Sequence, residues 1–170
     1  KTGATIREVT SGCICCSLQG NFQQALLDIL QNYDVDTIYI EPSGVSKLSE
    51  IIHTCEDEEI AKSAYVHASV TTVDAMQAPM FIKNFGLFFK DQITNSDAIF
   101  LSDTEDIQQT SITKRMIHEL APNTPIHEEA WSTIALRDYI KRLYHCHDDH
   151  SLHDEHLFMS HTFKDLRTLT

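Results

Sequence analysis

The stretch VDTIYIEPSG, residues 35–44, is a β-branched and largely apolar run that ends at an acidic residue, a proline and a glycine. Such a run predicts a buried β-strand over 35–40. Glu41 then stands at the carboxyl end of the strand, the edge of a parallel sheet at which ligands bind. Because strands commonly end in a carboxylate, the stretch alone leaves a ligand-binding residue and an ordinary strand end as alternatives.

Strand-like and helix-like segments alternate on both sides of this stretch. Runs of β-branched and apolar residues predict strands, and apolar residues at helical spacing predict amphipathic helices. The predicted strands are 5–9, 35–40, 65–75 and 97–102, and the predicted helices are 21–30, 48–55, 81–93, 112–120 and 136–144. This alternation predicts an α/β fold in which helices cover both faces of a mostly parallel sheet, a three-layer αβα architecture. Cys55 falls on the apolar face of the predicted helix 48–55, and His67 falls in the predicted strand 65–75. These positions favour structural roles for both residues.

The composition excludes several classes of partner. The 170 residues have 42% hydrophobic and 22% charged residues, as in an ordinary globular domain. The net charge of −12 argues against nucleic acid or an anionic membrane as the main partner, because both demand a basic face. No apolar run is long enough to span a bilayer and no secretory pattern precedes the cysteines, so the expected location is cytoplasmic.

Three of the five cysteines lie together in the stretch SGCICCSL, at Cys13, Cys15 and Cys16. An odd total in a reducing compartment disfavours a disulfide framework. Three thiolates beside the flexible Gly12 could bind zinc or cuprous copper and leave one tetrahedral position open, a geometry suited to metal transfer. Burial as small core residues and a redox dithiol are the alternatives.

A histidine-rich and acidic segment spans residues 145–156 and predicts a linker between two folded parts, 1–144 and 157–170. Its imidazoles could chelate zinc, nickel or cobalt, and the neighbouring carboxylates attract cations. The candidate ligands are His145, His147, His150, His153 and His156. A solvated linker with incidental histidines is the alternative. The strand-like pattern after it predicts the start of a further domain.

The stretch FLSDTE, residues 100–105, places Ser102, Asp103 and Glu105 after another apolar strand. Polar residues at this edge could contact a base, or they could simply begin the next helix. Spacing alone leaves both alternatives open.

In their order, SGCICCSL, IYIEPSG, VTTVDA, FLSDTE and the histidine-rich linker resemble the CobW-type (cobalamin biosynthesis W-like) members of the G3E group of P-loop GTPases, which act as metal chaperones or insertases. The resemblance implies a P-loop NTPase (G-domain) sheet, zinc or another transition metal at the C-x-C-C cysteines, and GTP with Mg²⁺. It also implies that Glu41 and Gly44 form the catalytic Walker B region near the γ-phosphate. A client metalloprotein would receive the metal.

Three departures from that family pattern shape the expectations, and one is that only the apparent first strand of the family's C-terminal domain is expected, within residues 157–170. Residues 1–170 contain no G-x-x-x-x-G-K-[ST], so we expect the chain to be a segment of a longer protein, with a sheet that lacks the P-loop strand and self-associates. The guanine-reading N-K-x-D falls on Ser102, Asp103, Thr104 and Glu105, which retain only a final acid. A zinc buffer or sensor without nucleotide turnover is therefore the second hypothesis, and a protein-interaction fragment is the third.

Overall fold

The computed structural model of the chain describes residues 18–128 and a strand at 156–162, in which helices pack on a parallel sheet. The elements are α1 (Leu18–Asn32), β1 (Thr37–Ile40), α2 (Leu48–Cys55), β2 (Tyr65–Asp74), α3 (Ala78–Thr94), β3 (Ala98–Ser102), α4 (Ile107–Leu120), β4 (Ile126–His127) and β5 (His156–Thr162). All described strand pairs are parallel. The predicted α/β class is confirmed, consistent with an αβα domain of the P-loop NTPase type.

The strands lie in the order β1-β5-β2-β3-β4, so β5 separates β1 from β2. In the register of the sheet, Met159 of β5 is paired with Ile40 of β1 on one side and with Ser69 of β2 on the other. The sequence predicts that residues 157–170 begin a further domain, and that boundary stays a prediction. In the structure β5 belongs to the same sheet as β1 to β4.

β1 is only half buried, so the sequence prediction of a buried strand is wrong in this respect. Ile38 and Ile40 pack against the apolar cluster formed with α1 and α2. Thr37 is exposed on the opposite face, and the Tyr39 side chain is 65% exposed. The reason is position: β1 is the edge strand of the described sheet and has only one neighbour in it, β5.

β2 and β3 form the buried centre that their apolar, β-branched sequences predict. Residues 68–73 of β2 and 98–101 of β3 are all buried. Thr71 is fully buried, and its hydroxyl lies 2.6 Å from the Ser96 hydroxyl, which joins the strand to the segment after α3. A buried hydroxyl with a partner avoids the penalty for an unsatisfied polar group.

Two apolar clusters hold the helices on the sheet. One joins β2 and β3 to α3 and α4 around Phe89, Ile93 and Ile117, all of which are fully buried. The other joins α1, α2 and β1 around Leu26 and Leu48. Cys55 is a member of this second cluster, which confirms its predicted structural role. None of the helices in the described residues is long and apolar enough to cross a membrane.

Candidate functional site

The acidic-turn loop, defined here as residues 41–47, connects β1 to α2. Glu41 directly follows the strand and is exposed. The Ser46 N–H donates to the Ser43 carbonyl at 2.9 Å, and the two serine hydroxyls lie 2.8 Å apart. These short-range bonds fold the loop into a tight turn and leave the Glu41 carboxylate facing solvent at the end of β1.

Two side chains of α3 bind the loop and the first turn of α2 from more than forty residues away in sequence. The Gln92 Nε2 donates to the Ser46 carbonyl at 2.7 Å and to the Gly44 carbonyl at 3.4 Å. The two oxygens of the Asp91 carboxylate accept from the Ser49 N–H at 3.0 Å and from the Ser49 hydroxyl at 2.6 Å. The second half of the loop and the first turn of α2 are therefore fastened to α3.

The Asp91 contact supplies a cap that α2 lacks locally. The N-cap position of α2 is Lys47, whose side chain makes no capping hydrogen bond. The first N–H groups of a helix have no partner within the helix, and a carboxylate there also interacts favourably with the helix dipole. Lys47 instead pairs with Glu50 at 2.9 Å, and its pKa is raised by this hydrogen bond and the Glu50 charge, with a smaller contribution from Asp91.

The end of β3 forms a second polar edge. Ser102 is the last residue of the strand and its carbonyl accepts from the Ala75 N–H at 2.9 Å. Asp103 and Glu105 are exposed, and Asp103 has a φ of 52°, a left-handed conformation that aspartate tolerates better than most residues. The neighbouring Asp106 caps α4 by accepting from the Gln109 N–H at 2.9 Å.

Asp74, the last residue of β2, already has backbone partners. Its Oδ1 accepts from the Met76 N–H at 2.8 Å and from the Gln77 N–H at 3.0 Å, which forms the turn into α3. Because Asp74 pairs with Ser102 across the sheet, it stands beside the β3 edge. The Asp74 carboxylate stabilises the turn between β2 and α3.

The structure does not bring the acidic-turn loop and the β3 edge together. Ile40 is level with Ser69, whereas Ser102 is level with Asp74, five residues further along β2. At about 3.3 Å per residue and about 4.8 Å per strand spacing, Glu41 and Ser102 are separated by roughly 20 Å. These two predicted groups would therefore contact different parts of any one ligand.

The predicted metal ligands fall outside what the structure describes. Cys13, Cys15, Cys16, His145, His147, His150 and His153 lie in residues 1–17 and 129–155, and His156 is the first residue of β5. Within the described residues, no group of three or more His, Cys, Asp or Glu side chains could hold a metal ion. The cysteine and histidine ligand sets stay predictions.

Cys55 is a poor ligand for physical reasons. Burial, with a smaller contribution from the Glu56 carboxylate, raises the pKa of its thiol to about 12. Metals bind the thiolate, and this thiol stays protonated at neutral pH.

Sequence reasoning did not assign a site role to Asp91 or Gln92, the two residues that fasten the acidic-turn loop. The signal was present in Gln92, a polar residue within the apolar stripe of α3 that is fully buried in the structure. A buried amide requires partners, and its partners here are the loop carbonyls.

Comparison with known proteins gives one family. Residues 1–128 match the family described as CobW/HypB/UreG, nucleotide-binding domain. Two curated relatives are the zinc chaperone YjiA of Escherichia coli (strain K12), 32% identical over 106 residues, and the zinc chaperone CobW of Pseudomonas aeruginosa, 24% identical over 140 residues. These alignments cover 59% and 69% of this chain, and 33% and 37% of the relatives, so the chain spans about a third of their length. No solved structure matches.

Proposed function

Because the chain belongs to the CobW/HypB/UreG family of nucleotide-binding domains, we propose that it is part of a GTP-dependent zinc chaperone and carries the metal site of that protein. The C-x-C-C cluster carries the proposal: Cys13, Cys15 and Cys16 lie inside the matched range, 1–128. The two curated relatives are named zinc chaperones, which supports zinc as the ion. Cobalt or nickel is the alternative cargo.

The cysteines and the histidine-rich segment have different proposed roles. Three thiolates bind zinc tightly and leave a fourth position that a client protein can enter. The five histidines at 145–156 bind zinc, nickel or cobalt more weakly, because separate imidazoles on a polar segment must be ordered before they chelate an ion. We propose that the histidines collect the ion and that the cysteine site delivers it to a client metalloprotein.

Glu41 is proposed to work at the nucleotide. Its exposed carboxylate at the end of β1 can hold a Mg²⁺-bound water or orient the attacking water, which is the work of acidic residues at this position in nucleotide hydrolases. Gly44 would allow the backbone to approach the γ-phosphate. When bound, Mg²⁺ neutralises the charge that develops on the phosphate oxygens.

The β3 edge is proposed to contact the base. Glu105 is exposed and its carboxylate can accept from the N1 and exocyclic amine groups of guanine, while Ser102 and Asp103 offer further polar contacts. A lysine stem that would stack on the base has no counterpart at Asp103. We expect weaker discrimination between purine nucleotides than an N-K-x-D motif would provide.

Nucleotide state would control metal release. The cysteine loop would follow the strand adjacent to the switch region, so loss of the γ-phosphate would change the coordination at the cysteines and release the ion to a client. Equal zinc affinity of the full-length protein with GTP and with GDP would contradict this coupling.

Competitive zinc titration against a chromophoric chelator tests the metal site. The Cys13→Ser, Cys15→Ser, Cys16→Ser triple variant is expected to lose one tight equivalent of zinc. Cys55→Ala is the matched control, because its buried thiol stays protonated and should bind no metal. If the triple variant and the unmodified chain bind zinc equally, the cysteine site is wrong.

A zinc buffer or sensor without nucleotide turnover is the second candidate. The observation that favours it is the β3 edge, where Ser102 and Asp103 stand in place of the asparagine and lysine of a guanine-reading motif. GTP hydrolysis by the full-length protein separates the two candidates, since a buffer would bind zinc and show no turnover.

A further inference from the structure

We propose that Asp91 and Gln92 of α3 are positioning residues that fix the acidic-turn loop and, through it, the Glu41 carboxylate. The inference rests on the proposed function for the role of Glu41, while the positioning itself rests on the contacts of α3. Through these two residues, α3 would support the nucleotide site.

The contacts fasten the second half of the loop and the helix turn that follows it. Gln92 donates to the carbonyls of Gly44 and Ser46, and Asp91 accepts from the backbone and hydroxyl of Ser49. The loop is therefore held by main-chain atoms in the turn and at the first turn of α2. Such contacts fix the path of the backbone, which the side chains of the loop must then follow.

The part of α3 that makes these contacts is itself rigidly held. Phe89 and Ile93, on either side of the pair, are fully buried in the cluster with β2 and β3. The Gln92 carbonyl accepts from the Ser96 hydroxyl at 2.7 Å and from the Thr71 hydroxyl at 3.3 Å. A site is positioned precisely when its supporting side chains come from an element that packing has locked.

Within residues 18–128, few other hydrogen bonds or ion pairs connect the loop to the sheet. It leaves β1, an edge strand whose Tyr39 side chain is 65% exposed, and Glu41 and Val45 are exposed. The Lys47–Glu50 ion pair is local and partly solvated, so it contributes little to the position of the loop relative to the sheet. Of the contacts described, those with Asp91 and Gln92 tie the loop to the buried centre.

Burying the Gln92 side chain also costs free energy, and packing alone would not explain why this residue is present. Its side chain is fully buried, and among the described residues its Oε1 has no hydrogen-bond partner. An apolar side chain of similar size would fill the same space without leaving a buried acceptor unpaired. The hydrogen bonds from its Nε2 to the loop carbonyls therefore explain why an amide occupies this position.

Hydrogen–deuterium exchange of the 170-residue chain tests the positioning without any nucleotide. Asp91→Asn weakens the cap on Ser49, and Gln92→Met keeps the side-chain volume but removes the donor to the loop. We expect at least a tenfold faster exchange of amides in residues 41–49 for each variant, with exchange in β2 and β3 unchanged. Ser49→Ala, which removes only the hydroxyl, gives a smaller increase and covers the case in which a variant at 91 or 92 fails to fold.

Asp97→Asn is the matched control. Asp97 accepts from the N–H and the hydroxyl of Ser69 at 2.7 and 3.0 Å, the same chemistry as Asp91 with Ser49, but away from the acidic-turn loop. This variant should lower overall stability but leave exchange in residues 41–49 unchanged, because exposed loop amides exchange through local opening and not through global unfolding. If Asp91→Asn and Gln92→Met leave the loop unchanged, or raise exchange equally throughout the chain, the positioning role is overturned.

The kinetic arm uses GTP hydrolysis by the full-length protein. We expect Asp91→Asn and Gln92→Met to lower kcat about tenfold with KM for GTP within twofold, and Asp97→Asn to change neither. A fall in kcat without the change in loop exchange would overturn the inference. Absence of GTP hydrolysis in the unmodified protein would contradict the proposed function, and the exchange result would still decide the positioning.

Discussion

Asp97, directly before β3, is joined to Ser69, in the middle of β2, by reciprocal hydrogen bonds. The Asp97 Oδ2 accepts from the Ser69 N–H at 2.7 Å and from its hydroxyl at 3.0 Å, and the Asp97 N–H donates to the Ser69 carbonyl at 2.8 Å. Ser69 is buried, with 3% of its surface exposed. The pair therefore fixes the register of the two central strands at the point where β3 begins.

Replacing this carboxylate should weaken the fold. Asp97→Asn keeps the shape of the side chain but replaces charge-assisted hydrogen bonds with neutral ones, so we expect the free energy of unfolding to fall by about 1.5 kcal/mol. Urea denaturation followed by circular dichroism measures the change. Glu58→Gln, at an exposed carboxylate, is the control and should leave stability within about 0.5 kcal/mol. Equal midpoints for the two variants would show that the Asp97 contacts are not stabilising.

A buried hydroxyl ties α4 to the end of β2. The Thr113 Oγ1 donates to the Ala75 carbonyl at 2.8 Å, and Thr113 is fully buried. Thr113→Val should lower the free energy of unfolding by about 1 to 2 kcal/mol, because the carbonyl is left without this donor. Ser111→Ala on the same helix removes an exposed hydroxyl that donates to the Ile107 carbonyl, and it should cost much less. Thermal unfolding of both variants tests the difference.

The buried thiol makes stability depend on alkaline pH. The pKa of Cys55 is raised from 9.0 to about 12 by burial, so in the folded state the thiol stays protonated while the unfolded state releases its proton above about pH 9. The stabilising contribution is therefore complete below pH 9 and is lost as the pH rises towards 12. Between pH 8 and pH 10.5, the urea midpoint should fall further for the unmodified chain than for Cys55→Ala. A parallel decline in both proteins would contradict this assignment.

The histidine-rich segment should increase the number of zinc ions bound per chain but should not provide the tightest site. Replacing His145, His147, His150, His153 and His156 with asparagine is expected to lower the number of zinc ions bound per chain. The highest-affinity equivalent should remain, because the proposed ligands of that equivalent are the three thiolates. Titration by isothermal calorimetry resolves the two classes of site. Loss of the tight equivalent in this variant would place histidines in the primary site.

Removal of β5 should expose two strand edges in the middle of the sheet. A chain shortened to residues 1–155 leaves the facing edges of β1 and β2 without the partner that β5 provides. We expect it to self-associate or to lose cooperative unfolding, as measured by light scattering and urea denaturation. A monomeric short chain with unchanged stability would contradict the observed pairing of β5.

Much of this architecture follows from local sequence. The apolar periodicity predicts α2, α3 and the strands β2 and β3 to within three residues, because each element buries one side or both sides in a regular pattern. The predicted start of α4 is five residues too late. α1 begins at Leu18, three residues before the predicted start at Asn21, a difference that the periodicity of the helix does not resolve. The family resemblance was confirmed by the match over residues 1–128.

Other features depend on contacts that no local pattern contains. The half-exposed state of β1 follows from its edge position, and that position depends on where β5 pairs. The Asp91–Ser49 and Gln92–Ser46 bonds join residues more than forty positions apart. Because short polar side chains can find many partners, only the packing of α3 against α2 determines which carbonyls and N–H groups they meet.

The central place of β5 has a consequence for how the chain is made. About 80 residues separate the end of β2 at Asp74 from the start of β5 at His156. At the usual 5–20 residues per second, a ribosome needs about 4–16 s to synthesise that interval. During this time β1 and β2 are both present but cannot be joined by β5, so sheet closure is a late step in biosynthesis. A nascent chain of this kind would be a natural substrate for chaperones that shield unpaired strands.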